Sequence, residues 1–151
     1  MFTKNDEYGM QKAIALAKRA QEENEVPVGA VLMLDNEVIA EAYNCPISTC
    51  DPTSHAEIIA LRKGAQRLGN YRLMNSTLYV TLEPCIMCAG AMVHARIKRL
   101  VYGAKDARTG VIISRLQLLD QPFLNHKIDY IGGLLEVECG AILSEFFKAR
   151  R

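Results

Sequence analysis

The sequence predicts an α/β protein with helices on both faces of one sheet, and three observations lead there. An amphipathic stretch precedes a hairpin pattern, β-prone runs alternate with helical ones from residue 77 onward, and 151 residues suit one domain, residues 1–151, at roughly 150 residues each. Alternation implies βαβ crossovers and therefore a mostly parallel sheet. Composition agrees: 50% apolar and 23% charged residues exclude a disordered or low-complexity chain.

From Asp6 to Glu22, Met10, Ala13, Ile14, Ala17 and Ala20 recur at spacings of three and four, which predicts a first helix with Thr3 as its cap. The continuous apolar run Val28 to Leu34, the turn-like Asp35-Asn36-Glu37 and the β-prone Val38 to Tyr43 predict a hairpin with a buried first strand. A loop follows over Asn44 to Asp51, then a helix from Pro52 to Leu68 that stops at Gly69-Asn70, where glycine suits a C-cap. The rest reads as strand Thr77 to Thr81, helix Pro84 to Arg96 with Pro84 at its first position, strand Arg99 to Tyr102, loop Gly103 to Gly110, a weak strand near Lys127 to Ile131, and a last helix from Leu134. On that last helix Leu135, Cys139, Ile142 and Phe146 form a buried stripe, so Cys139 is core.

A net charge of +1 leaves no global footprint for nucleic acid, so any polyanion site is a local patch. The first ten residues lack an apolar signal region, and the longest apolar stretch, Val26 to Leu34, is far below the roughly 18 residues of a membrane span. A cytoplasmic protein is expected. Five cysteines, two of them in a Cys-x-x-Cys step, suggest metal or thiol chemistry in a reducing compartment rather than a disulfide frame.

The chemistry concentrates in His55 and Glu57 of Ser54-His-Ala-Glu57 and in Cys85 and Cys88 of Pro84-Cys-Ile-Met-Cys88. Cysteines three apart at a helix start place both sulfurs on one side, where helix amides favour thiolates. His55 supplies a third donor and leaves a fourth tetrahedral position open, as in a catalytic rather than a structural zinc site. Two thiolates already neutralise Zn²⁺, so its water is acidified less than in a three-histidine site and a nearby carboxylate, Glu57, is needed to take the proton. His-x-Glu with Pro-Cys-x-x-Cys is also the general signature of zinc nucleobase deaminases.

Other readings compete at each position. Ser54-x-x-Glu57 fits a capping box, which would make Glu57 structural. A lone Cys-x-x-Cys could be a redox pair, though this leaves His55 and Glu57 unexplained. Cys45 and Cys50 could form a second site or complete a four-cysteine zinc, against which stand their spacing and Pro46. His94 and His126 read as surface, interface or loop residues. Phe147 beside Lys148, Arg150 and Arg151 could stack on a base or lie in an interface. Helix Pro84 to Arg96 carries apolar residues on more than one face, more than one side of a sheet covers, which predicts a homodimer.

The chain resembles the bacterial tRNA-specific adenosine deaminases over nearly its whole length. The resemblance rests on Glu25-Val-Pro-Val-Gly-Ala30, Asp51-Pro-Thr with Ser54-His-Ala-Glu57, Tyr79 to Ala89, Ala95-Arg-Ile, Gly103-Ala-Lys-Asp-Ala-Arg-Thr-Gly110, Asn125-His126 and Phe146-Phe147. It implies a cytidine-deaminase-like three-layer α/β/α sandwich on a five-stranded mixed sheet, a homodimer, and conversion of the wobble adenosine of a tRNA anticodon to inosine. It further implies one Zn²⁺ per chain on His55, Cys85 and Cys88, Glu57 as proton shuttle, and Asn44 as a hydrogen-bonding partner of the flipped base. Phosphate contacts are expected from Lys148, Arg150 and Arg151 and from Lys105 and Arg108 in the Gly103 to Gly110 loop.

Overall fold

The computed structural model describes residues 1–150, so Arg151 and the contact expected of it lie outside the described residues. Its elements are α1 (Lys4–Glu22), β1 (Gly29–Leu34), β2 (Glu37–Tyr43), α2 (Pro46–Thr49), α3 (Ala56–Leu68), β3 (Thr77–Leu82), α4 (Ile86–Ala95), β4 (Arg99–Ala104), a 3-10 turn (Leu118–Asp120), β5 (Asp129–Gly132) and α5 (Glu136–Lys148). The strands form one five-stranded sheet in the order β2-β1-β3-β4-β5. Because side chains alternate across a strand, Leu32, Leu78, Val80 and Leu100 face α3 and α4. Val31, Met33, Tyr79 and Val101 face α1 and α5. The result is the three-layer α/β/α sandwich with a mixed sheet.

The expectation of a mostly parallel sheet is corrected. Strands β3, β4 and β5 pair in parallel, but β1 is antiparallel to both its neighbours, β2 and β3. The hairpin reverses direction at Asp35 and Asn36, both left-handed (φ 52° and 64°), as a tight two-residue turn requires. Helix α1 then lies directly on β1 at Gly29, where a Cβ would strike the Ala13 carbonyl. Along the edge strand β2, α3 lays two cations: Lys63 donates to the Glu41 carbonyl (3.0 Å) and Arg67 to that of Val38 (3.1 Å).

Two helix starts also differ from expectation. Residues expected to open the second helix at Pro52 form a turn in which the Asp51 carboxylate accepts from the Thr53 amide, the Thr53 hydroxyl and the Ser54 hydroxyl. Such aspartate-centred turns compete with helix, and α3 therefore begins only at Ala56 with His55 as its cap residue. Likewise Cys85, not Pro84, precedes the first turn of α4. The short helix α2 within the expected loop takes Pro46 at its start, the position proline prefers. Among the described residues, no helix is long and apolar enough to cross a membrane.

Asp6 ties the layers together. Thr3 and Asp6 exchange hydrogen bonds in a capping box at the start of α1. The same carboxylate accepts from the Tyr79 hydroxyl (2.7 Å) on β3 and twice from Arg99 (2.7 and 3.0 Å) on β4. Burial alone would raise the Asp6 pKa, but the bonds from Arg99, Thr3 and Tyr79 outweigh it and hold the carboxyl well below the usual carboxylate range. Replacing Asp6 by Asn leaves Arg99 without its charge partner, a loss of about 3 kcal/mol for a largely buried pair, or roughly 10 °C in melting temperature at this size. A folded pKa below the unfolded one stabilises the fold above about pH 4 and loses that contribution as pH falls. Calorimetry of wild type and Asp6→Asn should therefore show a gap that is full at neutral pH and narrows progressively below about pH 4.

Candidate active site

Helices α3 and α4 begin at the same end of the sheet, and each carries a metal-ligand candidate in its cap position, His55 on α3 and Cys85 on α4. Cys88 follows one turn into α4 and is fully buried. The three donor atoms lie within 4.8 Å of one another. His55 Nδ1 stands 3.6 Å from Cys85 Sγ and 3.5 Å from Cys88 Sγ. Zinc bonded tetrahedrally at its usual Zn–S and Zn–N lengths sets sulfur and nitrogen about 3.6 Å apart, so the donor set fits that ion. Cys45 and Cys50 take no part in this cluster: Cys45 is half-buried and Cys50 exposed on the loop before it.

Protons in the cluster are unevenly shared. A hydrogen bond from the Cys88 thiol, with another from His55, pulls the Cys85 pKa down to about 4 despite desolvation. Donating that bond, together with burial, pushes Cys88 strongly up. The bond to Cys85 raises His55 in turn.

Glu57 is 4% exposed, and desolvation pushes its carboxyl up to about 7, against the opposing pull of its own backbone amide and of His55. The capping-box reading is not realised: Ser54 Oγ donates to Asp51 instead (3.0 Å), and Glu57 is the second residue of α3, not the third. A buried carboxyl free of a cap and adjacent to three metal donors is suited to moving protons near neutral pH.

Asn44 is 7% exposed and sits beside this cluster, since the next residue's amide donates to the Ser54 carbonyl (3.1 Å) just ahead of His55. Its own amide donates to the Val28 carbonyl (3.0 Å).

Two residues given no role from sequence prove to hold the surrounding loops. Glu25, 1% exposed, accepts from the Ile47 and Ser48 amides at the start of α2. Glu83, 2% exposed, accepts from the amides of Asp106, Ile112, Ile113 and Ser114 and from the Ser114 hydroxyl. Those donors, led by Ser114, hold its pKa low against burial. Each is an acidic residue set against apolar neighbours and a proline or strand, the one signal that could have marked it.

The remaining candidates fall elsewhere. His94 is exposed on the last turn of α4, along a groove lined by Ile58, Leu61, Tyr71 and Ala91. The His126 ring lies 2.7 Å from the Ile97 carbonyl. Phe147 is half-exposed, edge-on to Phe146 at 5.3 Å. The expectation of Arg150 as a phosphate contact is weakened: its guanidinium lies 3.5 Å over the Phe146 ring and bonds Asn24 at 3.1 Å. Lys105, Arg108 and Lys148 are exposed.

Residues 3–104 match the cytidine and deoxycytidylate deaminase zinc-binding region. The chain is 54% identical over 147 residues to a tRNA-specific adenosine deaminase of Haemophilus influenzae, covering 97% of this chain and 85% of that one. It is 44% identical over 146 residues to the tRNA-specific adenosine deaminase of Bacillus subtilis, covering 97% and 91%. A solved tRNA:A34 deaminase superposes with a TM-score of 0.88 at 46% identity, covering 90% of this chain and 99% of that one. A guanine deaminase from Nitrosomonas europaea shares the fold at a TM-score of 0.82 and 22% identity, covering 93% and 83%. With the family region spanning two-thirds of the chain and relatives this similar along nearly all of it, the chain belongs to the tRNA-specific adenosine deaminase family of the cytidine and deoxycytidylate deaminases.

Proposed function

We propose that the chain, acting as one domain over residues 1–151, hydrolyses the wobble adenosine of a tRNA anticodon to inosine, in the cytoplasm, with one Zn²⁺ per chain held by His55, Cys85 and Cys88. The observation that carries the chemistry is the buried Glu57 carboxyl beside a three-donor cluster of tetrahedral spacing. The substrate follows from the relatives, which are named for adenosine in tRNA and for A34 at the wobble position. Bound zinc would supply the Lewis acidity that lowers a water's pKa toward neutrality. Glu57 takes the proton as oxygen bonds to the ring carbon that bears the amino group, then returns it to the amine. That carbon's bond to nitrogen breaks and ammonia leaves. Asn44, buried beside the donor cluster, hydrogen-bonds the base. An anticodon nucleotide is already unpaired, which lowers the cost of taking it into the pocket.

Glu57→Gln keeps the side chain's size and leaves all three donors in place. It should retain one zinc per chain by metal analysis while turnover falls by roughly 10² to 10⁴. Near-normal turnover with a lowered melting temperature would return Glu57 to a structural role.

For the substrate, ammonia release is to be compared among an anticodon stem-loop with wobble adenosine, the same loop with guanosine, and free adenosine, cytosine and guanine. Turnover is expected on the first alone. Binding should weaken with salt by about 0.7 log units per log unit for each phosphate neutralised, with Lys105, Arg108 and Lys148 as the exposed cations. Efficient turnover of a free base and none of the loop would overturn the tRNA reading.

The apolar groove between α3 and α4, together with Ile86 at 63% exposure, supports a homodimer through this helical face. Sedimentation velocity should show a dimer at micromolar concentration, and Ile86→Lys should shift it toward monomer.

A further inference from the structure

The buried Glu83 carboxylate is far from idle, yet it touches neither the metal donors nor any group the proposed reaction uses. It directly follows β3 and precedes Pro84 and Cys85. All five of its donors lie in one segment, residues 106–114. That segment is also fastened to the start of the metal helix, since the Val111 amide donates to the Pro84 carbonyl (3.0 Å). Ile112 is fully buried, whereas Lys105, Arg108 and Thr109 are exposed. The exposed tip is rigid in its own right: Asp106 accepts from the Arg108 and Thr109 amides and from the Thr109 hydroxyl. The amide of that same Asp106 is what Glu83 Oε1 receives at 3.0 Å. Gly110 completes the fit, because a Cβ there would run into the Glu83 carboxyl and the Asp106 carbonyl.

We propose that Glu83 is a positioning residue for substrate: it sets the 105–109 tip, with Lys105 and Arg108, at a fixed height beside the metal-ligand helix so that these cations meet the backbone of a single-stranded RNA loop. This rests on the RNA reading above. A carboxylate is required because it accepts on both oxygens. In Glu83→Gln the amide oxygen serves the three amides at 112–114, and the NH2 can donate to Ser114 Oγ. It then faces the Asp106 N–H, donor against donor, so the substitution releases the tip and spares the anchor.

The test uses the full-length zinc-loaded protein with Glu83→Gln and, keeping glutamate at position 83, Gly110→Ala. Zinc content, hydrogen exchange, Michaelis parameters on an adenosine anticodon stem-loop and the salt dependence of binding are read for each. Both variants should keep one zinc per chain and a kcat within about twofold. Both should lose protection at the Asp106 amide and raise KM about five- to tenfold, the worth of one charge-assisted hydrogen bond to phosphate. The salt slope should shrink by about 0.7 for each phosphate no longer neutralised. A purely structural Glu83 would lower the melting temperature while KM and salt slope stay at wild type, and that result overturns the proposal. Loss of zinc or of kcat with KM unchanged overturns it too, by assigning Glu83 to the metal helix. Wild-type protein that fails to turn over the stem-loop at all sinks the RNA reading itself, whereas a normal wild type with unchanged variants sinks this inference alone.

Discussion

Everything at the site depends on two helices being seated on one face of the sheet with their first turns at the same end. That seating is close because the residues under the helices are small or slender: Ala56, Ala60, Cys88 and Ala89 are all fully buried against the strands. A slip of one residue along a strand moves a side chain about 3.3 Å and turns it to the other face, more than the spread of the donor cluster tolerates. The ligand geometry is therefore a consequence of strand register, and the antiparallel pairing of β1 with β3 helps fix that register from the centre of the sheet.

Three buried glutamates surround this arrangement, and their hydrogen bonds sort them into different jobs. Glu25 and Glu83 spend both oxygens on loop donors, which makes them fixed anchors. Glu57 faces sulfur, imidazole and its own amide, and burial pushes its pKa above the usual carboxylate range. The same residue type at similar burial is thus either a fixed anchor or, in the proposed reaction, a proton carrier, according to how many N–H groups converge on it.

Much of this was legible in the chain. The helical period of residues 6–22, the turn at Asp35-Asn36 and the strand-helix alternation after residue 77 located the elements, and spacing singled out His55, Cys85 and Cys88, which the fold brings together as one donor cluster. What stayed hidden was partly non-local. The direction of β1 relative to β3 depends on a pairing across more than forty residues, and an apolar strand looks alike in either orientation. The late start of α3 came from Asp51 gathering three donors, a local competition that proline at position 52 concealed. Arg150 looked free because one partner, Phe146, is a neighbour one turn back, and the other, Asn24, comes near only when the last helix crosses to the end of the first.

The cations laid along β2 have a consequence for the chain in a crowded cell. A sheet with an uncovered outer strand is a template on which another extended chain can add, and repeated addition leads to insoluble aggregates. Lys63 and Arg67 occupy carbonyls of that strand and bring charge to it. At the opposite margin β5 is only four residues long. An incoming strand would have to displace bonded cations at one border and would find too short a ladder at the other, so growth of the sheet beyond five strands is blocked in both directions.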